Sequence, residues 1–388
     1  MPRVWAPLFF IYTSPGWEMG ILADLLCPSP GNYGKFIQTG SLPSRALCLP
    51  AHLAGFPLMN PLEKMVWEDV RRRDLIRQGD TGLVCVSGGG DSTALMHLLA
   101  ALARPLKLSL TVVHFNHGLR PEAPQEALRV AQQAAKLGLA AVVEQTDHLA
   151  GRTGIQAAAR HWRQSRCREL ARQTGAAWAA TGHQREDQME TLLLKLLRGV
   201  HLTGLKGMDP KQGLFIRPLL AIRHGRLTDY LKEKGETWLE DPSNANPRYK
   251  RNRVRHELIP LMEELAGGAL GDRLGALEAQ STLVRQWLET VSPVEQSPAP
   301  HETTSTGEAD PPWMAIPPLM EMPPLARMDQ IHRFVQGRIK GPVDFCQLTR
   351  VLSLLETGQG RWQVNLSLNR TLKREKGRLW LTPTRQTG

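Results

Sequence analysis

Six consecutive residues, Ser87-Gly88-Gly89-Gly90-Asp91-Ser92, separate a short apolar run, Leu83 to Val86, from a helical one that begins at Thr93. Three glycines let the backbone turn tightly and aim its N–H groups at an anion, and the helix start behind them adds the positive end of its dipole. Ser87 and Ser92 supply hydroxyls. The loop is not a Walker A motif, since no Gly-Lys-Ser/Thr follows, and it is not the dinucleotide GxGxxG. The bland alternatives are a glycine-rich structural turn and, for Asp91, a helix-capping role. Further along, His183, Asp187 and Glu190 follow a strand at spacing i, i+4, i+7, which predicts one helical face turned toward the sheet edge. Carboxylates placed so can hold a divalent cation, and a His or carboxylate can take a proton; the alternative is a solvated acidic first turn.

Arginines form two sets. Arg160, Arg163 and Arg166 recur every three residues, and Arg160 with Arg163 could clamp a phosphate, against a plain solvated face. Arg248, Arg251 and Arg255 share another helical face, beside an apolar strip of Val254, Leu258 and Leu261. Such a helix can contact RNA phosphates or ATP, against the plainer reading of a solvated charged face. His114, His117 and His183 are three scattered imidazoles without Cys or paired carboxylates, so they read as loop or core residues rather than a zinc site.

The elements that must position these residues alternate. Strands at 83–86, 108–115, 140–144 and 177–181 interleave with helices, which predicts an α/β fold with a doubly wound parallel sheet and a ligand site at the strands' carboxyl ends. A smaller, mostly helical domain follows. Residues 1–58 carry few charges and no steady period, match signal-peptide architecture poorly, and read as a poorly ordered extension, with Met59 as an alternative native start. Asn60-Pro61-Leu62-Glu63 then opens an amphipathic helix. The expected division is 59–220 for nucleotide binding and 221–292 for a basic helical region that completes the catalytic unit. A linker or insertion at 293–324 holds nine prolines and excludes helix or central strand, and 325–388 forms a small substrate-binding module closing in a hairpin.

Across 388 residues, 48 Lys+Arg against 37 Asp+Glu leave a net charge of +11, which suits a polyanionic partner without requiring one. With 41% hydrophobic residues the chain can bury a sizeable core, and no run reaches the length of a membrane-spanning helix, so no membrane partner is expected. Five cysteines, odd in number and without a CxxC pair, fit a reducing cytoplasm better than a disulfide framework.

SGGGDS after a buried strand resembles the PP-loop of the ATP pyrophosphatase superfamily. Three more stretches narrow the resemblance to the tRNA(Ile)-lysidine synthases: 113–121 (VHFNHGLRP), 182–191 (GHQREDQMET), and Asp241-Pro242-Ser243-Asn244 through 251–258 (RNRVRHEL). Residues 361–381 resemble the end of that family's substrate-binding domain. The resemblance implies an ATP-dependent ligase that adenylates the wobble cytidine of a CAU-anticodon isoleucine tRNA at C2 and lets free lysine displace AMP. The product, lysidine, changes codon reading from AUG to AUA. It implies ATP and Mg2+ as cofactors, with Ser87, Gly88, Gly89, Gly90, Asp91, Ser92 and Arg160 at the nucleotide, and Asp91 and Asp187 at the metal. Asp91, His183, Asp187 and Glu190 are implied in catalysis, and Arg163, Arg248, Arg251 and Arg255 in substrate binding. A homodimer is compatible with it. Glu186, Gln156, Gln164 and Asn246 depart from the family's usual residues, and a further C-terminal domain of longer members is expected to be absent. The rivals are a PP-loop tRNA thiolase, which the cysteines' lack of a motif disfavours, and a non-catalytic tRNA-binding protein, which the intact Asp91, Asp187 and Glu190 disfavour.

Overall fold

A computed structural model describes residues 10–12, 59–116, 123–146, 155–240, 250–291, 312–339, 343, 345–357, 360–366 and 370–384. Arg248, His117 and Asn246 lie outside them. The chain forms two compact units, one of residues 1–185 and 209–242, the other of 186–208 and 243–388.

The first unit is built on a seven-stranded sheet. Its strands are β1 (Phe10–Tyr12), β2 (Thr81–Cys85), β3 (Ser109–Asn116), β4 (Ala140–Gln145), β5 (Trp178–Thr181), β6 (Lys211–Gln212) and β7 (Phe215–Ile216), in the order β1-β4-β3-β2-β5-β7-β6. All neighbours run parallel except β6 and β7. Helices α1 (Pro61–Arg72), α2 (Gly90–Leu106), α3 (Ala123–Lys136) and α4 (Ile155–Thr174) belong to the same unit. The chain moves outward from β2 through β3 to β4, then returns to the other side of β2 with β5. That reversal makes the carboxyl ends of β2 and β5 the topological switch point, where ligands bind in sheets of this type. β1 is a correction to the reading of 1–58 as an extension without an element: Phe10–Tyr12 pairs in register with Val142, Val143 and Glu144.

Local choices agree with this architecture. Asn60 caps α1, accepting from the Leu62 N–H at 2.8 Å, while the Glu63 carboxylate accepts from the Asn60 N–H at 3.1 Å. The α2 residues Ala94, Leu95, Met96, Leu98, Leu99 and Leu102 are fully buried, so the helix behind the glycine loop is anchored within the core. Trp178 of β5 packs its ring where a side chain on Gly82 of β2 would have to be, and its indole N–H donates to Asp80 at 3.0 Å.

The second unit begins within α5 (Arg185–Leu196). It continues after α6 (His224–Glu233, in the first unit) with α7 (Lys250–Arg253), a π-turn (Val254–Leu258), α8 (Ile259–Leu265) and α9 (Leu270–Val291). Met189, Leu192 and Leu193 of α5 share a core with Val254, Ile259, Leu270 and Leu274. A second core joins α10 (Ile316–Glu321), α11 (Pro324–Gln336) and α12 (Phe345–Thr357) to an antiparallel sheet in the order β8-β11-β10-β9. Its strands are β8 (Trp313–Ala315), β9 (Trp362–Leu366), β10 (Arg370–Glu375) and β11 (Arg378–Pro383). The hairpin expected from alternating Trp362, Val364 and Leu366 is present.

Two expectations change here. The proline-rich segment 293–324 holds a strand and a helix at its end. Pro317 and Pro318 occupy the first helical positions of α10, where a missing N–H costs nothing, and β8 is an edge strand. The units also divide at 185/186 and 242/243 rather than near 220, because α6 packs Leu227, Tyr230 and Leu231 into the sheet domain's core.

Candidate nucleotide-binding loop and carboxylate–arginine cluster

The loop after β2 is held shut by its own side chains. The Ser92 hydroxyl donates to the Gly89 carbonyl at 2.9 Å and accepts from the Ser87 N–H at 3.1 Å, with the Ser87 hydroxyl 3.0 Å away. The Thr93 hydroxyl donates to the Gly88 carbonyl at 3.3 Å. Gly88 has φ +93, a left-handed conformation that side chains disfavour. Ser87 and Ser92 therefore shape the loop, and the start of α2, capped by Gly89 without a side-chain bond, presents its first N–H groups beyond it. Asp91 sits in the first turn of α2 rather than at the cap. From β5, Gly182 comes so close that a side chain there would meet the Ser92 backbone at 3.0 Å.

Residues the sequence reading missed complete this surface. The His224 Nδ1–H, at the start of α6, donates to Asp91 Oδ1 at 2.7 Å, and the Leu239 N–H donates to the Gly88 carbonyl at 2.9 Å. The Trp238 indole lies where a side chain on Gly90 would meet it at 3.3 Å. None of these contacts is local in sequence; only a strand ending at the loop signals them.

His183 precedes α5 instead of sitting on its face, so the expected three-residue stripe reduces to Asp187 and Glu190. Its ring Nδ1 donates to the Thr181 hydroxyl at 2.9 Å, which donates on to the Ile216 carbonyl at 3.4 Å. His114 is a satisfied core histidine: its Nδ1 donates to the Val86 carbonyl at 2.9 Å, and burial lowers its pKa.

In the second unit, Asp187 and Glu190 meet the basic helix. Arg255 Nη2 lies 2.6 Å from Asp187 Oδ1, Arg251 Nε lies 2.5 Å from Glu190 Oε2, and Arg255 Nε also bonds Glu190. Glu190 is fully buried, so the two guanidiniums neutralise a carboxylate that could not stand alone. The π-turn, closed by the Ile259 N–H on the Val254 carbonyl, carries Arg255 itself. It shifts the helical phase, and Leu261 of the expected apolar strip is left exposed. Leu196 and Leu197 at the end of α5 are exposed as well, while Leu192 and Leu193 are buried.

The donor sets differ in their fit to Mg2+. Asp91 is a partly exposed carboxylate beside an anion-binding loop, which suits a hard cation shared with phosphate oxygens. Asp187 and Glu190 carry two negative charges already matched by two arginines, so as they stand they do not fit a divalent cation. On α4, Arg160 and Arg163 are exposed, whereas Arg166 is bound by Glu144 of β4 at 2.8 and 3.0 Å and by Glu169 at 2.5 Å. The structure also places Cys85 Sγ 3.6 Å from Cys167 Sγ, a pair invisible in the sequence. Hydrogen bonding to Cys167 and burial push the Cys85 thiol well up, away from thiolate chemistry.

The glycine-rich loop stands at the switch point of a mostly parallel sheet, and the PP-loop domain family model matches residues 63–262, which makes this a PP-loop protein. The tRNA(Ile)-lysidine synthase of Chlorobaculum tepidum is 37% identical over 211 residues, 53% of this chain and 64% of that protein. The enzyme of the same name from Symbiobacterium thermophilum is 40% identical over 222 residues, 55% of this chain and 46% of that one. That of Nitratidesulfovibrio vulgaris is 37% identical over 238 residues, 59% and 68%. The chain belongs to the tRNA(Ile)-lysidine synthase family of PP-loop proteins. It spans less than two thirds of the length of the first two relatives.

Proposed function

We propose that this chain ligates free lysine to C2 of the wobble cytidine in a CAU-anticodon isoleucine tRNA, using ATP and passing through an adenylated tRNA with release of pyrophosphate and then AMP. The observation that carries the reading is the loop from Ser87 to Ser92, folded as an anion cradle at the switch point within the stretch that matches the family. The ring oxygen of cytidine is a poor leaving group until adenylated, so two displacements replace one that would not proceed.

The loop and the first N–H groups of α2 bind phosphate oxygens and stabilise charge as pyrophosphate departs. Asp91, oriented by His224, would hold Mg2+, which neutralises phosphate charge when bound. His183, held beside Thr181, is the side chain assigned to take a proton from the attacking lysine amine. Arg160 and Arg163 are exposed cations for phosphate. Arg251 and Arg255 are held by Asp187 and Glu190 and serve tRNA or nucleotide phosphates from that pairing. Arg248 is assigned to the same substrate surface. The work takes place in the cytoplasm, where the substrate tRNA resides; among the described residues no helix is long and apolar enough to cross a membrane.

The test is tRNA-dependent pyrophosphate release by Asp91→Asn. A loss of about 100-fold or more, with tRNA retained on a filter as for the parent, is expected. Unchanged release removes Asp91 from the nucleotide site.

A further inference from the structure

His201, Asp329 and His332 of the second unit bring two imidazoles and a carboxylate together, with one ligand atom from each within 4.8 Å of the others. His201 follows α5 and immediately precedes the short turn at Leu202–Gly204, while Asp329 and His332 are one turn apart on α11. The His201 and His332 rings stack with centroids 4.8 Å apart and planes at 21°.

A relay sets the orientation of His201. Its Nδ1 lies 2.8 Å from the Thr203 hydroxyl, which donates to Asp329 Oδ1 at 2.9 Å. With its own hydrogen spent on Asp329, the Thr203 hydroxyl at 2.8 Å takes the His201 Nδ1–H, a shorter contact than the 3.4 Å approach of the Thr203 N–H to the same nitrogen, and this arrangement leaves the lone pair on Nε2. That Nε2 is buried without a hydrogen-bond partner, in a residue only 1% exposed. A buried imidazole lone pair with no donor is costly unless something fills it. A ring that donates from one nitrogen through a hydroxyl to a carboxylate, leaving the other open, has the outer support typical of metal-bound histidines. Asp329, fully buried, has Oδ2 2.6 Å from Arg333 Nε but not in hydrogen-bonding line with it.

We propose that His201, Asp329 and His332 bind a zinc-class divalent ion, with His201 Nε2, a His332 ring nitrogen and Asp329 Oδ2 as ligands, clamping the turn after α5 to α11. Two imidazoles and a carboxylate suit Zn2+ better than the hard cations that prefer all-oxygen sites. Bonds of about 2.0–2.1 Å require ligand atoms to close to about 3.3 Å, a side-chain adjustment on the order of 1 Å. Arg333 competes with the ion for Asp329, so its removal strengthens binding. This site owes nothing to the nucleotide chemistry.

The chelator-treated full chain is dialysed against Zn2+ and its bound metal measured, then titrated with Co2+ and read by visible absorption. One equivalent is expected in the parent and in Cys346→Ser, which removes an exposed thiol as a rival ligand. Retention is expected to fall at least tenfold in His201→Asn, which keeps the Nδ1-like contact with Thr203 and lacks Nε2, and in His332→Ala. Arg333→Gln is expected to bind about tenfold more tightly, and circular dichroism confirms folding of each variant. No retained zinc in the parent, or equal retention in a folded His201→Asn, overturns the proposal.

Discussion

At the scale of single residues, the Asp91–His224 pair shows what sequence spacing conveys and what it hides. Asp91 is legible because it lies inside a six-residue loop whose composition already points to an anion. His224 is 133 residues away and has no motif of its own; only the return of the chain to β2's edge brings it to 2.7 Å. The spacing of His183 predicts a place on the α5 face, yet the helix begins two residues later and His183 instead contacts Thr181 of β5. His224 orients Asp91 rather than reacting, so His224→Gln is expected to lower kcat for pyrophosphate release about tenfold with little change in KM for tRNA. Steady-state kinetics against tRNA separate the two; a rise in KM alone would make His224 a binding residue.

At the scale of elements, buried charge decides how α5 and α7 associate. Asp187 and Glu190 were legible as one face, and Arg251 and Arg255 as another. Their mutual pairing was not, because helical periodicity shows that two faces are charged without showing that they meet. Removing both cations leaves Glu190 buried and unmatched. Arg251→Ala/Arg255→Ala is expected to cost about 3 kcal/mol, below the upper range for buried pairs because both arginines are partly exposed. Adding Glu190→Gln is expected to restore more than half of it in denaturant melts; no restoration would mean the arginines stabilise by packing alone. α1 offers a pH test. Burial pushes Glu63 up, but the Tyr230 hydroxyl, the Asn60 N–H and Lys234 more than offset it and hold its pKa below the ordinary 4.5. A depressed carboxylate stabilises the fold above its unfolded pKa and loses that contribution as pH falls through the folded value. Glu63→Gln is therefore expected to lower stability near neutrality by about 1–2 kcal/mol and to flatten the decline below pH 4.5. A pH profile parallel to the parent's would contradict this.

At the scale of the whole molecule, the doubly wound sheet was legible because alternating strands and helices admit few other arrangements. The division into units was not. α5 reads as one more crossover helix of that sheet, yet its apolar residues Met189, Leu192 and Leu193 find Val254 and Ile259 instead, so the boundary falls at its first turn. The proline-rich segment misled for a related reason: proline excludes helix interiors and central strands, and its described residues, 312–324, use first turns and a sheet edge. The proposed reaction is the transfer of lysine to one tRNA. The most direct measurement is incorporation of labelled lysine into an unmodified CAU-anticodon isoleucine tRNA transcript with ATP and Mg2+, beside an initiator methionine tRNA. Incorporation into the isoleucine tRNA alone, abolished by Asp91→Asn, is the predicted result; ATP-dependent adenylation of the tRNA without lysine uptake would contradict it.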